Sequence, residues 1–311
     1  MIGSGEGTAD TPARSHRRGT LMAIAAAMRP QQWIKNCVIF AALLFSRSFL
    51  DTALLGRAII AFWLFCAVSS AVYILNDILD LENDRAHPTK RLRPIAAGEL
   101  GAALAGAIGS VLAVSSLALS FQLNPSFGAM AAVYLGVNLL YSVWLKRVVI
   151  VDVMIISSGF VIRAVAGGLA IGVEISAWLI LCTIFLSLFL GFTKRRQELA
   201  LLESRVSTTR AILREYSIGF LDQMIAIVTS ATFVAYILYT LAPETRQRLG
   251  TPYMPLTIPF VLYGVFRYLY LVHQKSLGES PTGALYADRP LLINVLIWAL
   301  AAVAALTLSH G

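Results

Sequence analysis

Long apolar runs recur through the whole sequence, and they constrain the fold more than any other feature. A membrane-spanning helix requires about 17–25 predominantly apolar residues, and windows of that length are repeated along the chain. Hydrophobic residues make up 58% of the 311 positions, charged residues only 14%, and the mean hydropathy is +0.73. Only helices and closed barrels satisfy their backbone in lipid, and these runs are too long for barrel strands. The sequence therefore predicts an all-α, polytopic protein of the lipid bilayer.

We predict nine transmembrane helices within one membrane domain that covers residues 21–311. Residues 1–20 are rich in Gly, Ser, Thr and Arg and are typical of a disordered cytoplasmic tail. The predicted spans are 36–50, 58–80, 101–121, 126–145, 149–171, 176–193, 219–241, 253–273 and 290–308.

The basic residues lie mostly on one side of this topology. Only Arg47, Arg57, Arg246 and Arg248 fall on the opposite side, and Arg163 and Arg267 fall within spans. Because cytoplasmic loops carry an excess of Lys and Arg, the more basic side is predicted to face the cytoplasm. The connections after spans two, four and six then lie inside, and His310 lies outside. This placement explains the net charge of +8 without any binding of nucleic acid.

An acid-rich stretch, residues 73–94, follows the second predicted span. If the helix continues to His87, one face of it carries an amide and three carboxylates: Asn76, Asp77, Asp80 and Asp84. Pro88 then ends the helix. Oxygen ligands on one face suit Mg²⁺, which usually shares them with substrate phosphates. The alternative is a solvated cytoplasmic loop of mixed charge.

Basic residues follow these acids directly, in positions where they could hold the same phosphates: Lys90, Arg91 and Arg93. Lys35, next to Trp33, is predicted to anchor the chain at the membrane interface before the first span. The sharper interpretation is that Lys35 reaches a phosphate at the membrane surface.

A second cluster crosses the turn between spans four and five, from Tyr141 through Lys146 to Asp152. Lys146 could instead be a snorkelling residue of the cytoplasmic surface. A charge at a helix centre, such as Arg163, costs roughly 2.5–3.5 kcal/mol on insertion scales and normally faces a polar cavity. Asp152 and Arg163 share a helical face about 16 Å apart, so they could line one pocket. A structural role for Arg163 is the alternative.

The third cluster, which includes Lys194, Arg195 and Glu198, ends the sixth span. Cations at a helix C-terminus are favoured by the helix dipole alone, which is the simpler explanation. The cluster could also close over a bound diphosphate. Arg267 is a weaker candidate of the same kind. The three cysteines are isolated in apolar runs, so we expect neither a disulfide nor a metal site from them: Cys37, Cys66 and Cys182.

No glycine-rich phosphate loop, catalytic serine arrangement or zinc-ligand spacing is present in the sequence. Carboxylates and cations at the cytoplasmic end of a membrane bundle remain. They suit the departure of pyrophosphate as something dissolved in lipid attacks, with metal and cations neutralising the leaving oxygens. A lipid phosphate as nucleophile would need no general base.

Five stretches together resemble the UbiA superfamily of intramembrane prenyltransferases, over about residues 28–200. They are Arg29-Pro-x-Gln-Trp-x-Lys-Asn36, residues 73–98, Tyr141-x-x-x-Leu-Lys146, Ile162-Arg-Ala-x-Ala-Gly-Gly168 and Lys194-Arg195-x-x-Glu198. Aromatic prenyltransferases of the superfamily carry a second Asp-x-x-x-Asp motif after span six. Here that position begins Lys194-Arg195, which favours the branch that transfers phosphoribose.

The resemblance implies a helical bundle with a central cavity open to the cytoplasm of a bacterial cell. It also implies Mg²⁺-dependent transfer of 5-phosphoribose from phosphoribosyl pyrophosphate to a polyprenyl phosphate, for the cell envelope. Asp77, Asp80 and Asp84 would handle the metal and pyrophosphate, supported by Asn76. Tyr141 would shape the ribose pocket, and cations would bind phosphates: Lys90, Arg91, Arg93, Lys146, Lys194 and Arg195.

Two other functions remain open at this stage. The first is a prenyltransferase that moves a prenyl group from prenyl diphosphate to an aromatic acceptor. The second is a transporter or lipid-binding protein without turnover, although the repeated halves that are typical of transporters are not evident. The sequence also leaves open whether protomers form a homo-oligomer.

Overall fold

All regular structure in the described part of the chain is helical. The computed structural model describes residues 19–46, 49–203, 211–275 and 281–308, so most of the predicted tail and the C-terminal His310 lie outside the described residues. The α-helices are α1 (Thr20–Ala27), α2 (Phe40–Phe45), α3 (Thr52–Leu79), α4 (Leu81–Ala86), α5 (Ala102–Leu123), α6 (Pro125–Val143), α7 (Val151–Ile171), α8 (Ala177–Glu203), α9 (Ile218–Leu241), α10 (Pro243–Leu249), α11 (Ile258–Gln274), α12 (Pro281–Ala287) and α13 (Arg289–Thr307). Short 3₁₀ helices cover Pro30–Ile39, Lys90–Leu92, Leu145–Arg147, Ala211–Glu215 and Met254–Thr257.

Eight helices in these ranges are long and apolar enough to cross a membrane, and they match predicted spans two to nine. The protein is therefore a multi-pass membrane protein. The first predicted span, 36–50, takes a different form. A 3₁₀ segment, Pro30–Ile39, leads into the short helix α2. This stretch begins with proline, and its Trp33 and Asn36 side chains donate hydrogen bonds to serines of α3. A ninth span stays a prediction.

Local sequence signals fix where several spans begin and end. Asp51, Asn124 and Ser217 accept hydrogen bonds from backbone N–H groups in the first turns of α3, α6 and α9. Asp288 does the same for α13. Gly172, with φ of +72°, ends α7 in the left-handed conformation that glycine adopts without steric cost. Helices α6, α9 and α13 therefore begin within one residue of the predicted spans, whereas α3 begins before the predicted residue 58 and α8 extends beyond the predicted residue 193.

Helix α3 lies at the centre of the first half of the bundle, where it packs against α5, α6 and α7. Its Phe65 ring lies 5.7 Å from Phe127 and 5.4 Å from Tyr134, between ring centroids. A second core joins α8, α9 and α11 around Phe189, whose ring lies 5.6 Å from Tyr268. The acid-rich end of α3 is held by a further core, in which Ile74 and Ile78 pack with residues of α1 and of the loop before α5.

The segment Pro30–Ile39 packs directly on α7 at a glycine. A Cβ atom on Gly167 would lie 2.2 Å from the carbonyl oxygen of Ile39, far inside any real contact. Only glycine allows the two backbones this approach. The contact brings Asn36 to Arg163, which lies one turn earlier on α7.

The loop between α3 and α5, the α6–α7 turn and the α8–α9 connection meet at one end of the bundle. Lys146 of the turn contacts Asp80 of the loop, and Arg195 of α8 contacts Asp152 at the start of α7. The sequence prediction that the charged clusters share one membrane surface agrees with these contacts.

Candidate active site

The acids of residues 73–94 lie where α3 ends. Asp77 belongs to its last turn, Asp80 interrupts the helix in a turn, and Asp84 lies on the short helix α4. The predicted continuous helix therefore has a break at Asp80. His87 ends α4 in an extended conformation, and its Nδ1 accepts N–H groups of Thr89 and Lys90 at 3.3 Å. This histidine thus stabilises the turn that leads to the basic residues.

Asp77 and Asp84 are both buried and are held together by one arginine. Nη1 of Arg93 lies 3.0 Å from Oδ1 of Asp77 and 2.5 Å from Oδ2 of Asp84. Arg29 also donates to Oδ1 of Asp77. The buried Oδ2 of Asp77 has no hydrogen-bond partner among the residues that the structure describes. Asp80 is half-buried and contacts Lys146, with Nζ 2.6 Å from Oδ1. We call these six residues the acidic cluster: Arg29, Asp77, Asp80, Asp84, Arg93 and Lys146.

Arg29 is a member of this cluster that the sequence interpretation did not assign. It precedes Pro30 with a φ of +55°, which directs it back towards α3, and its guanidinium lies 5.2 Å from the ring centroid of Tyr73. Burial lowers the pKa of Arg29 and the carboxylate of Asp77 opposes that effect. The Arg-Pro pair ahead of an interfacial tryptophan was the available signal, but its partner lies 48 residues away.

A second group of polar residues lies beneath the acidic cluster around Arg163, which is almost fully buried. Its Nε donates to Oδ1 of Asn36 at 2.6 Å, Nη1 to the Gly159 carbonyl at 2.7 Å, and Nη2 to the Tyr134 hydroxyl at 2.8 Å. None of these partners is charged. The cation is further stabilised by the Tyr134 ring, 4.7 Å away. Arg163 is thus hydrogen-bonded, but its charge is not neutralised by a carboxylate in the part of the chain that the structure describes.

Lys35 adds a further positive charge near Arg163. Burial, together with the nearby charges of Lys194, Arg163 and Arg29, lowers the pKa of Lys35 to about 7. No carboxylate pairs with Lys35 among the residues with described positions. Lys194 lies 3.8 Å from Glu198 on its own helix. We call Lys35, Arg163 and Lys194 the cationic group. Arg163 is buried, whereas Lys35 and Lys194 are partly exposed. An excess of positive charge around a buried cation is favourable when an anion can join it.

The third group contains Asp152 and Arg195, which are both completely buried. Nε of Arg195 lies 2.7 Å from Oδ2 of Asp152, Nη1 contacts Glu198, and Nη2 lies 3.4 Å from the Tyr141 hydroxyl. The hydroxyl of Tyr216 donates to Oδ1 of Asp152 at 2.7 Å. Asp152 and Arg163, predicted to line one pocket, therefore have different partners. No local pattern in the sequence pointed to Tyr216.

The remaining predicted residues lie at the edges of the site. Lys90 and Arg91 belong to the 3₁₀ helix Lys90–Leu92, with Arg91 exposed and Lys90 half-buried. Asn76 is half-buried in the last turn of α3. Arg267, the weaker intramembrane candidate, is bound by both carboxylate oxygens of Asp288 at 2.8 and 3.1 Å. That pair joins α11 to α13, and it explains the intramembrane charge without a substrate.

The carboxylates fit a hard cation, provided that a substrate completes its coordination. In the described ranges, no three His, Cys, Asp or Glu side chains are gathered closely enough to hold a metal ion by themselves. The unpartnered Oδ2 of Asp77 is nevertheless an available oxygen ligand beside Asp84. Mg²⁺ usually takes only one or two protein carboxylates together with water and phosphate oxygens. Two cavities are lined by residues at the opposite end of the bundle, near Glu174, so the predicted cavity open to the cytoplasm stays a prediction.

The chain belongs to the UbiA prenyltransferase family, whose model matches residues 36–286. Solved structures share this fold. A UbiA homolog from Archaeoglobus fulgidus bound to DMAPP and Mg²⁺ superposes with a TM-score of 0.69 at 17% identity, covering 92% of this chain and 99% of that one. A digeranylgeranylglyceryl phosphate synthase gives a TM-score of 0.64 at 19% identity, covering 92% and 98%.

Sequence relatives are more specific than these structures. A decaprenyl-phosphate phosphoribosyltransferase of Mycolicibacterium smegmatis is 35% identical, over 92% of this chain and 93% of its own length. The Mycobacterium tuberculosis protein of the same name is 36% identical over 88% of this chain and 91% of its own. That of Corynebacterium glutamicum is 33% identical over 90% and 85%. The predicted family is therefore confirmed.

Proposed function

We propose that this chain transfers 5-phosphoribose from phosphoribosyl pyrophosphate to a polyprenyl phosphate, at the cytoplasmic surface of a bacterial membrane. The observation that carries the proposal is 33–36% identity, along about nine-tenths of the chain, to relatives named for this reaction. The product, a polyprenyl-phosphoryl-5-phosphoribose, would serve as a pentose precursor for the cell envelope.

The acidic cluster is proposed to receive the pyrophosphate group of the donor. Asp77 and Asp84, with Asp80, would hold Mg²⁺, which when bound neutralises charge on the leaving oxygens. Arg29, Arg93 and Lys146 now contact these carboxylates and are part-exposed, so they are free to turn to phosphate oxygens instead. The cluster would thus exchange internal ion pairs for pairs with the substrate. Lys90 and Arg91, at its rim, would attract the same anion.

The cationic group is proposed to receive the phosphate of the lipid acceptor. Lys35, Arg163 and Lys194 supply positive charge without an equal number of carboxylates. A phosphate monoester would supply the missing negative charge. The Pro30–Ile39 segment, which precedes α2 and packs on α7, is proposed to meet the lipid headgroup at the bilayer surface.

The reaction follows from these two positions. The C1–O bond to pyrophosphate breaks as an oxygen of the lipid phosphate forms a new bond to C1 of the ribose. Positive charge develops on the ribose ring and negative charge on pyrophosphate. Arg29, Arg93 and Lys146 stabilise the departing oxygens. The nucleophile is already an anion, so no side chain must remove a proton, and none of the carboxylates has to act as a base. Tyr141 would border the ribose.

Labelled phosphoribosyl pyrophosphate tests the proposal. Purified protein in lipid nanodiscs, given Mg²⁺ and polyprenyl phosphate, should produce label that partitions into organic solvent and release an equal amount of pyrophosphate. The Asp77→Asn variant serves as the matched inactive control. Transfer from a prenyl diphosphate to an aromatic acceptor, without lipid-extractable label, would replace the proposal by the aromatic prenyltransferase alternative. Transport without pyrophosphate release would reject both enzymes.

A further inference from the structure

We propose that Tyr216 is a positioning residue, which holds the α6–α7 turn so that Lys146 reaches Asp80. The inference rests on the proposed function for the role of Lys146, but not for the geometry. Tyr216 lies on the α8–α9 connection, after the 3₁₀ helix Ala211–Glu215 and far from Lys146 in sequence. Its hydroxyl joins that connection to the turn at two points.

The turn that carries Lys146 includes a strained residue. After the 3₁₀ helix Leu145–Arg147, Ile150 has φ of +68° and ψ of −45°, immediately before α7 begins at Val151. A β-branched side chain rarely adopts positive φ, because its Cβ crowds the backbone. Such a conformation persists only where neighbouring groups enforce it, and strain of this kind is concentrated at functional sites.

Tyr216 supplies the enforcing contact. Its hydroxyl accepts the N–H of Ile150 at 2.7 Å and donates to Oδ1 of Asp152 at 2.7 Å. Burial and the hydrogen bond to Asp152 raise the pKa of Tyr216, so the hydroxyl stays protonated and keeps donating. The same hydroxyl therefore fixes the strained backbone and the first turn of α7 together.

Asp152 is in turn held rigidly. Its Oδ2 accepts a hydrogen bond from Nε of Arg195 at 2.7 Å. Asp152, Arg195 and Tyr216 are all buried, and we call them the buried triad. Arg195 also contacts the Tyr141 hydroxyl on the other side of the turn. Lys146 therefore extends from a turn that is fixed at both ends, and its Nζ lies 2.6 Å from Asp80. We assign the triad to support of Lys146, with Arg195 acting through Asp152 and Tyr141.

The first test measures the exposure of Lys146 directly. The Tyr216→Phe variant removes only the hydroxyl. Labelling with an amine-reactive reagent, followed by mass spectrometry, should show Lys146 reacting several-fold faster than in the wild type. Tyr236→Phe is the matched control, because Tyr236 is a buried tyrosine whose hydroxyl bonds Thr257 and Trp298 elsewhere. Unchanged labelling of Lys146 in Tyr216→Phe would overturn the proposal, whether or not the wild type transfers phosphoribose.

The second test asks whether the hydroxyl acts through Lys146. A displacement of about 1 Å can cost about 100-fold in rate, so Tyr216→Phe should lower kcat by 10- to 100-fold. Combined with Lys146→Met, it should cost almost nothing more, because residues that act as a unit are not additive. A fully additive double variant would indicate a merely structural role and would reject the inference.

The third test uses the strained backbone. Glycine adopts positive φ without the steric cost of isoleucine. In an Ile150→Gly background, Tyr216→Phe should therefore change Lys146 labelling and kcat by much less than in the wild-type background. If Tyr216→Phe alone fails to fold, the comparison of Ile150→Gly with the double variant Ile150→Gly, Tyr216→Phe still tests the role of the hydroxyl. An equal effect in both backgrounds would contradict the role of Tyr216 in holding Ile150. A wild type that labels as expected but transfers no phosphoribose would reject the proposed function alone.

Discussion

Two groups of aspartate–arginine pairs lie at the same end of this protein, and they differ in the exposure of the cation. In the acidic cluster, Arg29 and Arg93 retain 25% and 28% side-chain exposure although Asp77 is only 2% exposed. In the buried triad, Arg195 and Asp152 are 2% and 0% exposed. The aspartate–arginine pairs on one side of the α6–α7 turn are therefore open, meaning that water reaches the arginine. The pair on the other side is sealed, meaning that both side chains are buried.

The difference indicates which pairs can exchange partners. A cation that water reaches can leave its carboxylate and turn to a phosphate at modest cost, whereas separation of a sealed pair leaves an uncompensated buried charge. Arg195 further binds Glu198 and Tyr141, so its remaining capacity for a ligand is small. Direct contact of Arg195 with substrate, which the sequence suggested, stays a prediction, and the geometry favours a supporting role.

The largest expected effect tests the open side of the comparison. Asp77→Asn should lower turnover by about 10²–10³-fold, because an oxygen ligand beside the leaving group loses its charge. The fold should persist, since Arg29 and Arg93 can turn to water. Turnover with labelled donor, together with thermal unfolding in detergent, checks both parts. Full activity of Asp77→Asn would remove the basis for placing metal and pyrophosphate here.

The next effect tests the sealed side. Asp152→Asn should lower the free energy of unfolding by about 1.5–3 kcal/mol, because the buried Arg195 loses one of its two carboxylate partners and keeps only Glu198. Adding Arg195→Met should restore part of that loss, since an apolar residue needs no counter-charge. Denaturant titration of the single and double variants measures this. If Asp152→Asn proved as stable as the wild type, the distinction between open and sealed pairs would not hold.

A third arrangement, a cation without a carboxylate, gives a pH dependence. With a pKa of about 7, Lys35 is charged below pH 7 and mostly neutral at pH 8.5. KM for polyprenyl phosphate should therefore rise roughly tenfold between pH 6 and 8.5. Lys35→Arg should flatten this rise, because the guanidinium stays charged; a steep profile in that variant would assign the titration to another group.

Titration of Lys35 should also make the stability of the fold depend on pH, and here stability should increase as pH rises. Between pH 7 and the ordinary value of 10.5, the unfolded chain binds a proton that the folded protein does not. The contribution of Lys35 to the free energy of unfolding therefore becomes more favourable as pH rises through that window. Comparison with Lys35→Met, which does not titrate, isolates this contribution.

The smallest effect is expected at a surface pair. Asp222 contacts Arg196 and His273 but is 39% exposed. Asp222→Asn should change the free energy of unfolding by less than about 1 kcal/mol, because solvent screens exposed pairs. Turnover should stay at the wild-type level. A loss as large as that of Asp152→Asn would show that exposure does not govern the strength of these pairs.

The sequence predicted what depends on local pattern. Apolar length located eight spans, because that signal lies within single helices. Spacings of three and four residues predicted that Asp77, Asp80 and Asp84 lie together, and Arg93 joins Asp77 to Asp84. The break at Asp80 was not predicted, since an uninterrupted helix has the same polar spacing.

Long-range pairings could not be predicted from one sequence. Arg29 meets Asp77 across 48 residues, and Tyr216 meets Asp152 across 64. Neither contact leaves a trace in local composition. The positive φ of Ile150 could not be predicted either, because residues with positive φ in turns are usually Gly, Asn or Asp rather than Ile.

The absence of a side chain at Gly167 has a consequence for the proposed acceptor site. The segment before α2 packs closely on α7 because residue 167 has only a hydrogen atom as its side chain. The Ile39 carbonyl occupies the space that a methyl group would need. Even alanine there would push the segment that carries Lys35 and Asn36 away from α7, and Asn36 would lose its close contact with Arg163. The smallest residue of α7 thus sets how closely these polar groups approach one another.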